Sequence, residues 1–213
     1  MTTTTLEKKV NFKVVILPID KLKPHEKGSP LYLEILKQEI TKDGVIKYPI
    51  IADEKTHVIL DGMHRWLALK NMGYTLIPVI LVDASKNTGI RVGRRRIHRY
   101  ICNQEAEIPI ENVISAGISG CLMKPRSTRH FFPFSKFQQI NYPLALLKKD
   151  KPQDVSQYLE KMTVEECKLA IKDWLGEMIE ELDFLIKRRE EVEKEIGDFL
   201  NRVKSINSNF LKP

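Results

Sequence analysis

Residues 60–66, "LDGMHRW", place an acid, an imidazole and a guanidinium at what reads as the start of a helix. The first turn of a helix presents unpaired N–H groups and a partial positive charge, so it attracts phosphate. Gly62 lets the backbone approach a ligand, His64 and Arg65 add donors, and Asp61 can hold a metal or cap the helix. The plain structural alternative is that Asp61 is only an N-cap and that the imidazole and guanidinium are solvated.

Two further stretches carry groups that can do chemistry. "LKPHE" leaves Glu26 in a loop between a strand and a helix, where a carboxylate can serve as a general base. "PRSTRHFFPF" brings Ser127, Thr128, Arg129 and His130 together, and loops with such donors often bind anions. The alternatives are an ordinary surface carboxylate and a surface loop anchored by its phenylalanines.

Together these stretches suit phosphoryl transfer, because that reaction needs charge neutralisation, positioning and a base for the accepting hydroxyl. The sequence contains neither a Walker A motif nor the protein-kinase motif set. Neither common nucleotide-binding fold is therefore supported, and residue types alone do not identify the substrate.

The elements that must position these groups can be read from pattern. We predict a strand over 12–19 and a helix with Ser29 as N-cap, Pro30 as first residue and Gly44 as stop. Two short strands and a tight turn follow, then the "GMHRWLALKNMG" helix with Trp66 in the core, and a buried strand over 76–83. This alternation predicts an α/β or α+β domain with a small mixed sheet.

The rest of the chain divides in two. Beyond residue 88 we predict a basic strand or loop in "GIRVGRRRIHRY", a short helix in "PIENVISAGISG" and a loop in "KPRSTRHFFPF". Residues 154–206 have helical period throughout, so we assign 1–149 to a catalytic domain and 150–213 to a helical extension. Residues of the last helix recur at alternating spacings of three and four: Leu175, Met178, Leu182, Leu185, Arg189, Val192, Ile196, Phe199, Val203 and Ile206. This heptad seam predicts packing on the preceding helix (154–171) or on the domain, or a homodimer.

Charge is distributed unevenly. Residues 1–149 hold 24 Lys and Arg against 13 Asp and Glu, a balance of +11, whereas residues 150–213 hold 11 against 15, a balance of −4. A basic domain suits nucleic acid or a phosphate-rich small ligand. Three dispersed cysteines argue against a disulfide framework, and no stretch reads as a membrane span or signal peptide. We expect a cytoplasmic protein.

The motifs "KLKPHE", "LDGMHRW" and "KPRSTRHFFPF", in that order, resemble the free L-serine kinases of the ParB/sulfiredoxin-like superfamily, over about residues 12–135. The resemblance implies an α+β nucleotide-binding domain with a small mixed sheet. It also implies transfer of a phosphoryl group from ATP or ADP, with Mg²⁺, to the hydroxyl of free L-serine. The expected ligands are serine and a nucleotide, with neither membrane nor nucleic acid as partner.

The resemblance also implies roles for individual residues. Glu26 would be the base that accepts the serine hydroxyl proton, with His64 as a second catalytic residue. Arg129 and His130 would bind the substrate, and Asp61 would also hold the metal. The remaining positions would bind the nucleotide and its phosphates: Asp61, Gly62, Met63, Arg65, Ser127 and Thr128. Many members carry His where Met63 stands.

The superfamily has two other branches to which the sequence can be compared. Sulfiredoxins carry Cys at the position of Met63, and a thioether cannot form the thiolate that their chemistry needs. ParB-type partition proteins bind CTP and DNA, and such a CTP-binding, DNA-associated regulator without kinase activity is the alternative function. However, the sequence shows no helix-turn-helix after the nucleotide domain, and an acidic extension would repel a phosphate backbone.

Overall fold

A computed structural model describes residues 13–86, 89–94, 107–136 and 138–210. The chain divides into two units, the first ending at Lys168 and the second beginning at Leu169. The predicted strand or loop after residue 88 is described as far as Arg94, and the rest of that stretch lies outside the described residues. Within the described ranges, no helix is both long enough and apolar enough to cross a membrane.

The first unit is built on a four-stranded mixed sheet, as predicted. Its strands are β1 (Val14–Pro18), β3 (Ile50–Asp53), β4 (Ile59–Asp61) and β5 (Leu76–Val82), in the order β1-β5-β3-β4. β5 runs parallel to β3, and the outer pairs β1–β5 and β3–β4 are antiparallel. β2 (Val45–Ile46), the second strand along the sequence, lies outside this sheet and pairs with a later segment.

Successive side chains of β5 point to opposite faces of the sheet, and each face packs against its own hydrophobic cluster. Ile77 and Val79 belong to one hydrophobic cluster, and Ile80 and Val82 belong to the other. The first cluster contains most of the buried residues of two helices, and the second contains Val113 of a third helix. The two clusters therefore hold β4, which carries Asp61, on both faces of the sheet, through Ile59 on one face and Leu60 on the other.

Helices α1 (Pro30–Asp43) and α2 (Met63–Asn71) pack on the first face. α1 begins and ends as predicted, with Pro at its first position and Gly44 in the left-handed region at φ 67°. Ser29 occupies the N-cap position, but its hydroxyl makes no capping bond. α2 is followed by Gly73, also left-handed at φ 87°.

The second face is covered by α3 (Ile110–Ser119) and by β6 (Arg91–Arg94), which pairs with β7 (Thr128–Phe131). The predicted short helix in "PIENVISAGISG" is thus confirmed. The prediction of a loop over the third motif is wrong for residues 128–131. This segment forms a strand because it pairs antiparallel with β6, a partner more than 30 residues earlier in the sequence.

Residues 142–160 also belong to the first unit. β8 (Tyr142–Pro143) pairs with β2, and short 3₁₀ helices follow at Leu144–Leu146 and Ser156–Tyr158. Leu144, Leu147 and Val155 are buried in the first cluster. The domain boundary that we expected at 149–150 therefore comes later, because these apolar residues complete the core of the first unit.

α4 (Val164–Phe210) is a single helix of 47 residues. The predicted helix over 154–171 is wrong in its first ten residues, which form a loop and a 3₁₀ turn instead. The seam therefore has no separate preceding helix on which to pack. Its large apolar side chains with described exposure are mostly exposed, from 37% at Leu185 to 59% at Phe199.

Candidate active site

The site is built where β4 runs into α2. Asp61 ends the strand, Met63 begins the helix, and Gly62 between them is the N-cap with φ 95°. A Cβ at this glycine would lie 2.7 Å from Arg65 Nη2 and 2.7 Å from Ile50 Cδ1. Glycine is therefore needed here both for the left-handed turn and for the close approach of the guanidinium. Asp61 is not the N-cap of α2.

Asp61 is held by two cations. Arg65 Nη2 donates to Asp61 Oδ2 at 2.7 Å and to the Pro49 carbonyl at 3.1 Å, and Lys136 Nζ donates to Asp61 Oδ1 at 2.9 Å. Burial would raise the pKa of Asp61, but the charges and hydrogen bonds of Arg65 and Lys136 outweigh it and lower that pKa to about 2. The cluster carries an excess positive charge, and Arg65 Nε has no partner among the described residues. It is suited to an incoming anion.

His64 faces the start of α1. Its Nε2 accepts a hydrogen bond from the Ser29 backbone N–H at 2.9 Å, and its ring lies edge-on to Tyr32 with centroids 4.7 Å apart. Burial, together with the charges of Arg126 and Arg65, lowers the pKa of His64 to about 4. The imidazole is therefore neutral at pH 7, and since Nε2 accepts, its proton is on Nδ1. His64 can donate from Nδ1, but it is not a cation.

Met63 and Trp66 belong to the core. Met63 is 4% exposed and packs in the first cluster, so its side chain is not available to a nucleotide. Trp66 is buried as predicted, and its Nε1–H donates to the Ile19 carbonyl at 2.9 Å. The first turn of α2 is thus anchored on its inner side.

Glu26 is positioned by the segment that precedes the third motif. Met123 N–H donates to the His25 carbonyl, and Lys27 N–H donates to the Met123 carbonyl, each at 2.9 Å. The Glu26 side chain is nearly buried, and burial raises its pKa to about 7 although a Thr128 hydrogen bond and the Arg126 charge oppose the rise. A carboxyl group that exchanges its proton near neutrality is suited to general-base work.

Thr128 connects Glu26 to a buried histidine. Its Oγ1 lies 3.2 Å from Glu26 Oε2 and 2.9 Å from His25 Nε2, and His25 Nδ1 lies 2.6 Å from the Ile59 carbonyl. Burial lowers the pKa of His25 to about 4, although the hydrogen bond to the Ile59 carbonyl opposes this shift. His130 lies edge-on to His25, with ring centroids 5.2 Å apart. The Thr128 hydroxyl is thus engaged with protein groups.

The other residues of the third motif are divided between the two faces of β7. His130 is buried, its Nε2 has no partner among the described residues, and burial and His25 lower its pKa to about 3. The Ser127 hydroxyl is likewise buried without a described partner. Arg129 alternates to the opposite face from His130 and lies over the Phe131 ring, 5.5 Å from its centroid. The structure does not place Arg129 beside Glu26.

Several residues of this site were not singled out from the sequence. Arg126 links its parts, since its charge acts on Glu26, His64 and Tyr32. The signal for His25 was its place next to Glu26 in "KPHE", whereas no spacing rule points to Lys136, which lies 75 residues from its partner Asp61. The residues missed as members of the site are His25, Ser29 (predicted only as a helix N-cap), Tyr32, Arg126 and Lys136.

Among the described residues, the site offers a metal ion little besides the Asp61 carboxylate as a ligand. Within them, no group of three or more His, Cys, Asp or Glu side chains could hold an ion. Mg²⁺ in kinase sites commonly takes one or two protein carboxylates and completes its shell with phosphate oxygens and water. Asp61 fits that pattern as a single ligand, provided that the Lys136 ammonium gives way at Oδ1.

Part of the chain, including the turn between β4 and α2, matches known proteins. Residues 3–94 match the family model of the ParB N-terminal domain. The chain is 38% identical over 73 residues to an ATP-dependent L-serine kinase of Staphylothermus marinus, covering 32% of this chain and 29% of that protein. It is 32% identical over 80 residues to the ADP-dependent L-serine kinase SerK of Thermococcus kodakarensis, covering 36% of this chain and 32% of that protein. The matched region thus spans about a third of each relative.

The fold is similar to that of a solved free serine kinase in complex with AMP. The TM-score is 0.55 at 16% identity, and the match covers 65% of this chain and 95% of that chain. The resemblance inferred from the three motifs, and the fold class with its small mixed sheet, are confirmed.

Proposed function

We propose that this chain, which carries a ParB N-terminal domain within a fold like that of the free serine kinases, is an L-serine kinase that uses ATP or ADP. The observation that carries the proposal is the buried Glu26, whose pKa is raised to about 7 beside the charge of Arg126. A base of this kind, next to a cationic helix start, suits transfer of a phosphoryl group to a hydroxyl. The relatives' names supply serine as the acceptor and ATP or ADP as the donor.

In this mechanism Glu26 accepts the hydroxyl proton of serine as the oxygen attacks the terminal phosphorus, and the bond to the leaving nucleotide breaks. The first-turn N–H groups of α2 have no acceptor within the helix, so they are available to phosphate oxygens. Arg65, Arg126 and Lys136 supply positive charge, which stabilises negative charge on the phosphoryl oxygens. His64, being neutral, contributes Nδ1–H as a donor.

For the residues of the third motif, we propose roles that differ in part from those that the resemblance implies. We assign Thr128 to Glu26 rather than to phosphate, because its hydroxyl is engaged there. Ser127 Oγ and His130 Nε2 are buried and have no partner in the part of the chain that the structure describes, so they are the motif's candidates for substrate or phosphate contacts. Arg129 would need a rearrangement of β7 to reach the same ligand.

Mg²⁺ is proposed as cofactor, with Asp61 and the nucleotide phosphates as its ligands. When bound, it would neutralise part of the phosphate charge. We place the reaction in the cytoplasm, and the exposed free thiol of Cys121 suits a reducing compartment.

The test is a donor screen. The full chain is incubated with free L-serine, Mg²⁺ and ATP, ADP or CTP in turn, and O-phosphoserine is quantified by mass spectrometry. Product with ATP or ADP supports the kinase and identifies its donor. Absence of product with every donor would refute it. CTP hydrolysis stimulated by DNA would instead indicate the nucleotide-binding regulator, which the ParB N-terminal domain match keeps as the second candidate.

We also propose that α4 pairs with α4 of a second copy. The seam is widened by apolar residues at the next heptad position, with Ile179 60%, Ile186 48% and Leu200 51% exposed. A second copy presents the same 3.5-residue repeat and can bury the stripe along its length. In a parallel pair, Arg188 would also face the partner's Glu193, a favourable charge pairing.

Light scattering should give a dimer for the wild type and for Lys194→Glu, on the polar face. It should give a monomer for Leu182→Glu, and a monomeric wild type would refute the pairing.

A further inference from the structure

Glu26, Thr128 and His25 form a hydrogen-bonded chain that ends on a main-chain carbonyl. His25 Nδ1 lies 2.6 Å from the Ile59 carbonyl, which can only accept, so Nδ1 must carry the proton. The ring is neutral at pH 7 because burial lowers the pKa of His25 to about 4. Its Nε2 is therefore a lone-pair acceptor, and the group within reach of it is the Thr128 hydroxyl at 2.9 Å.

The Thr128 hydroxyl has one proton and two acceptors. His25 Nε2 at 2.9 Å and Glu26 Oε2 at 3.2 Å both lie within hydrogen-bonding distance of its oxygen. When Glu26 is ionised, the proton can serve only one of them, and a buried acceptor is left short of a donor. When Glu26 is protonated, Glu26 donates to Thr128, Thr128 to His25 and His25 to Ile59, so every member of the chain is satisfied.

We propose that His25 is a positioning residue. By accepting the hydrogen bond of the Thr128 hydroxyl, it withholds that bond from Glu26 and so keeps the Glu26 carboxylate a strong proton acceptor. The inference rests on the proposed function for its substrate. The serine hydroxyl proton moves to Glu26 while the new oxygen–phosphorus bond forms and the bond to the nucleotide breaks. That proton completes the hydrogen-bonded chain, and Glu26 returns it to solvent before the next turnover.

The charged and titratable groups around this chain act as follows. Arg126 favours the ionised form of Glu26 and opposes the effect of His25. His130 faces the His25 ring, and its own pKa is lowered to about 3, so it adds no charge at neutral pH. The 3.9 Å approach of His25 Nε2 to Glu26 Oε2 is not an ion pair, because the imidazole is neutral. Asp61 and Lys136 face His130 and act on its pKa in opposite directions.

The substitution that tests the idea is His25→Asn. The asparagine amide can still donate to the Ile59 carbonyl, but it removes the Nε2 acceptor, so Thr128 is free to donate to ionised Glu26. The acidic limb of the kcat/KM profile should then move to lower pH by about 0.5–1 unit, the size of one hydrogen bond. The matched control His57→Asn makes the same exchange at a histidine outside the hydrogen-bonded chain, at a left-handed position that Asn tolerates, and should leave the limb in place. A lower rate with an unmoved limb in His25→Asn would overturn the proposal.

A second measurement needs neither a variant nor catalysis. Imidazole ¹⁵N spectra of the wild type, recorded from pH 5.5 to 8.5, should show His25 as the Nδ1–H tautomer throughout. Its Nε2 resonance should move as Glu26 titrates, because the bond from Thr128 weakens when Glu26 ionises. An Nε2–H tautomer, or an Nε2 resonance that stays constant, would refute the chain. Lack of kinase activity would count against the proposed function and leave this readout unaffected.

Discussion

Replacing Glu26 by Gln should abolish most catalysis and at the same time stabilise the protein. Burial raises the pKa of Glu26 from an ordinary 4.5 to about 7, so the folded state opposes the ionised carboxylate. A difference of 2.5 units corresponds to roughly 3 kcal/mol at about 1.4 kcal/mol per unit. Gln has nearly the same shape and can still bond to Thr128, but it never ionises.

The sign of the pH dependence follows from proton binding. Between pH 4.5 and 7 the unfolded chain has lost the Glu26 proton while the folded chain retains it, so the stability of the wild type falls as pH rises. The advantage of Glu26→Gln should therefore grow through that window, reach roughly 2–3 kcal/mol at pH 8 and vanish below pH 4.5. Gain of stability with loss of activity is the usual relation at a functional site.

Urea unfolding at pH 8 and pH 5, with initial rates of O-phosphoserine formation, measures both effects. The rate should fall by about 10²–10⁴, with nucleotide affinity largely retained. Glu34→Gln is the control, because Glu34 lies exposed on α1 and pairs with Lys37. Equal unfolding free energies for wild type and Glu26→Gln at pH 8 would refute the raised pKa, and a near-wild-type rate would refute the base assignment.

Three further predictions concern the start of α2. Arg65→Ala should weaken nucleotide binding about 10–100-fold by calorimetry, the loss of a charge-assisted contact, and an unchanged affinity would remove Arg65 from the phosphate site. Gly62→Ala should lower the unfolding free energy by about 1–2 kcal/mol, because its φ is 95° and the added Cβ meets Arg65 and Ile50; unfolding at wild-type denaturant concentrations would refute that strain. The pKa of Asp61 is lowered to about 2, so its stabilisation is present above pH 4 and is lost as pH falls towards 2. Lys136→Met should reduce that acid-dependent loss in unfolding curves, and an identical pH dependence would contradict the pairing.

The fold could be predicted where the signals were local. The limits of α1 follow from Pro30 and Gly44, whose effects act within one helical turn. β7 could not be recognised, because residues 128–131 become a strand only by pairing with β6, across a long stretch of intervening chain. The domain boundary was placed too early for a similar reason, since Val155 and Tyr158 look like part of a helical extension until the core that they contact is known.

The site shows the same division. Asp61, Gly62 and Arg65 lie within five residues, so their association could be read from the sequence. The partners that set the properties of the acids come from distant segments: Lys136 for Asp61, and Arg126 and Thr128 for Glu26. Residue type predicted a carboxylate base at Glu26, but only burial and these partners explain why the pKa of this carboxylate lies near neutrality.

The pair of backbone hydrogen bonds between residues 25–27 and Met123 joins the loop of Glu26 to a part of the chain outside the matched domain. The match to the ParB N-terminal domain ends at residue 94, before Met123, Arg126 and Thr128. The turn at residues 61–65, which we propose binds phosphate, therefore lies within the matched domain, whereas Arg126 and Thr128, which act on the pKa of Glu26, lie on a later segment docked beside it. Substitutions at Arg126 or Thr128 are therefore expected to change the proton affinity of Glu26 without altering the sequence of the turn at residues 61–65.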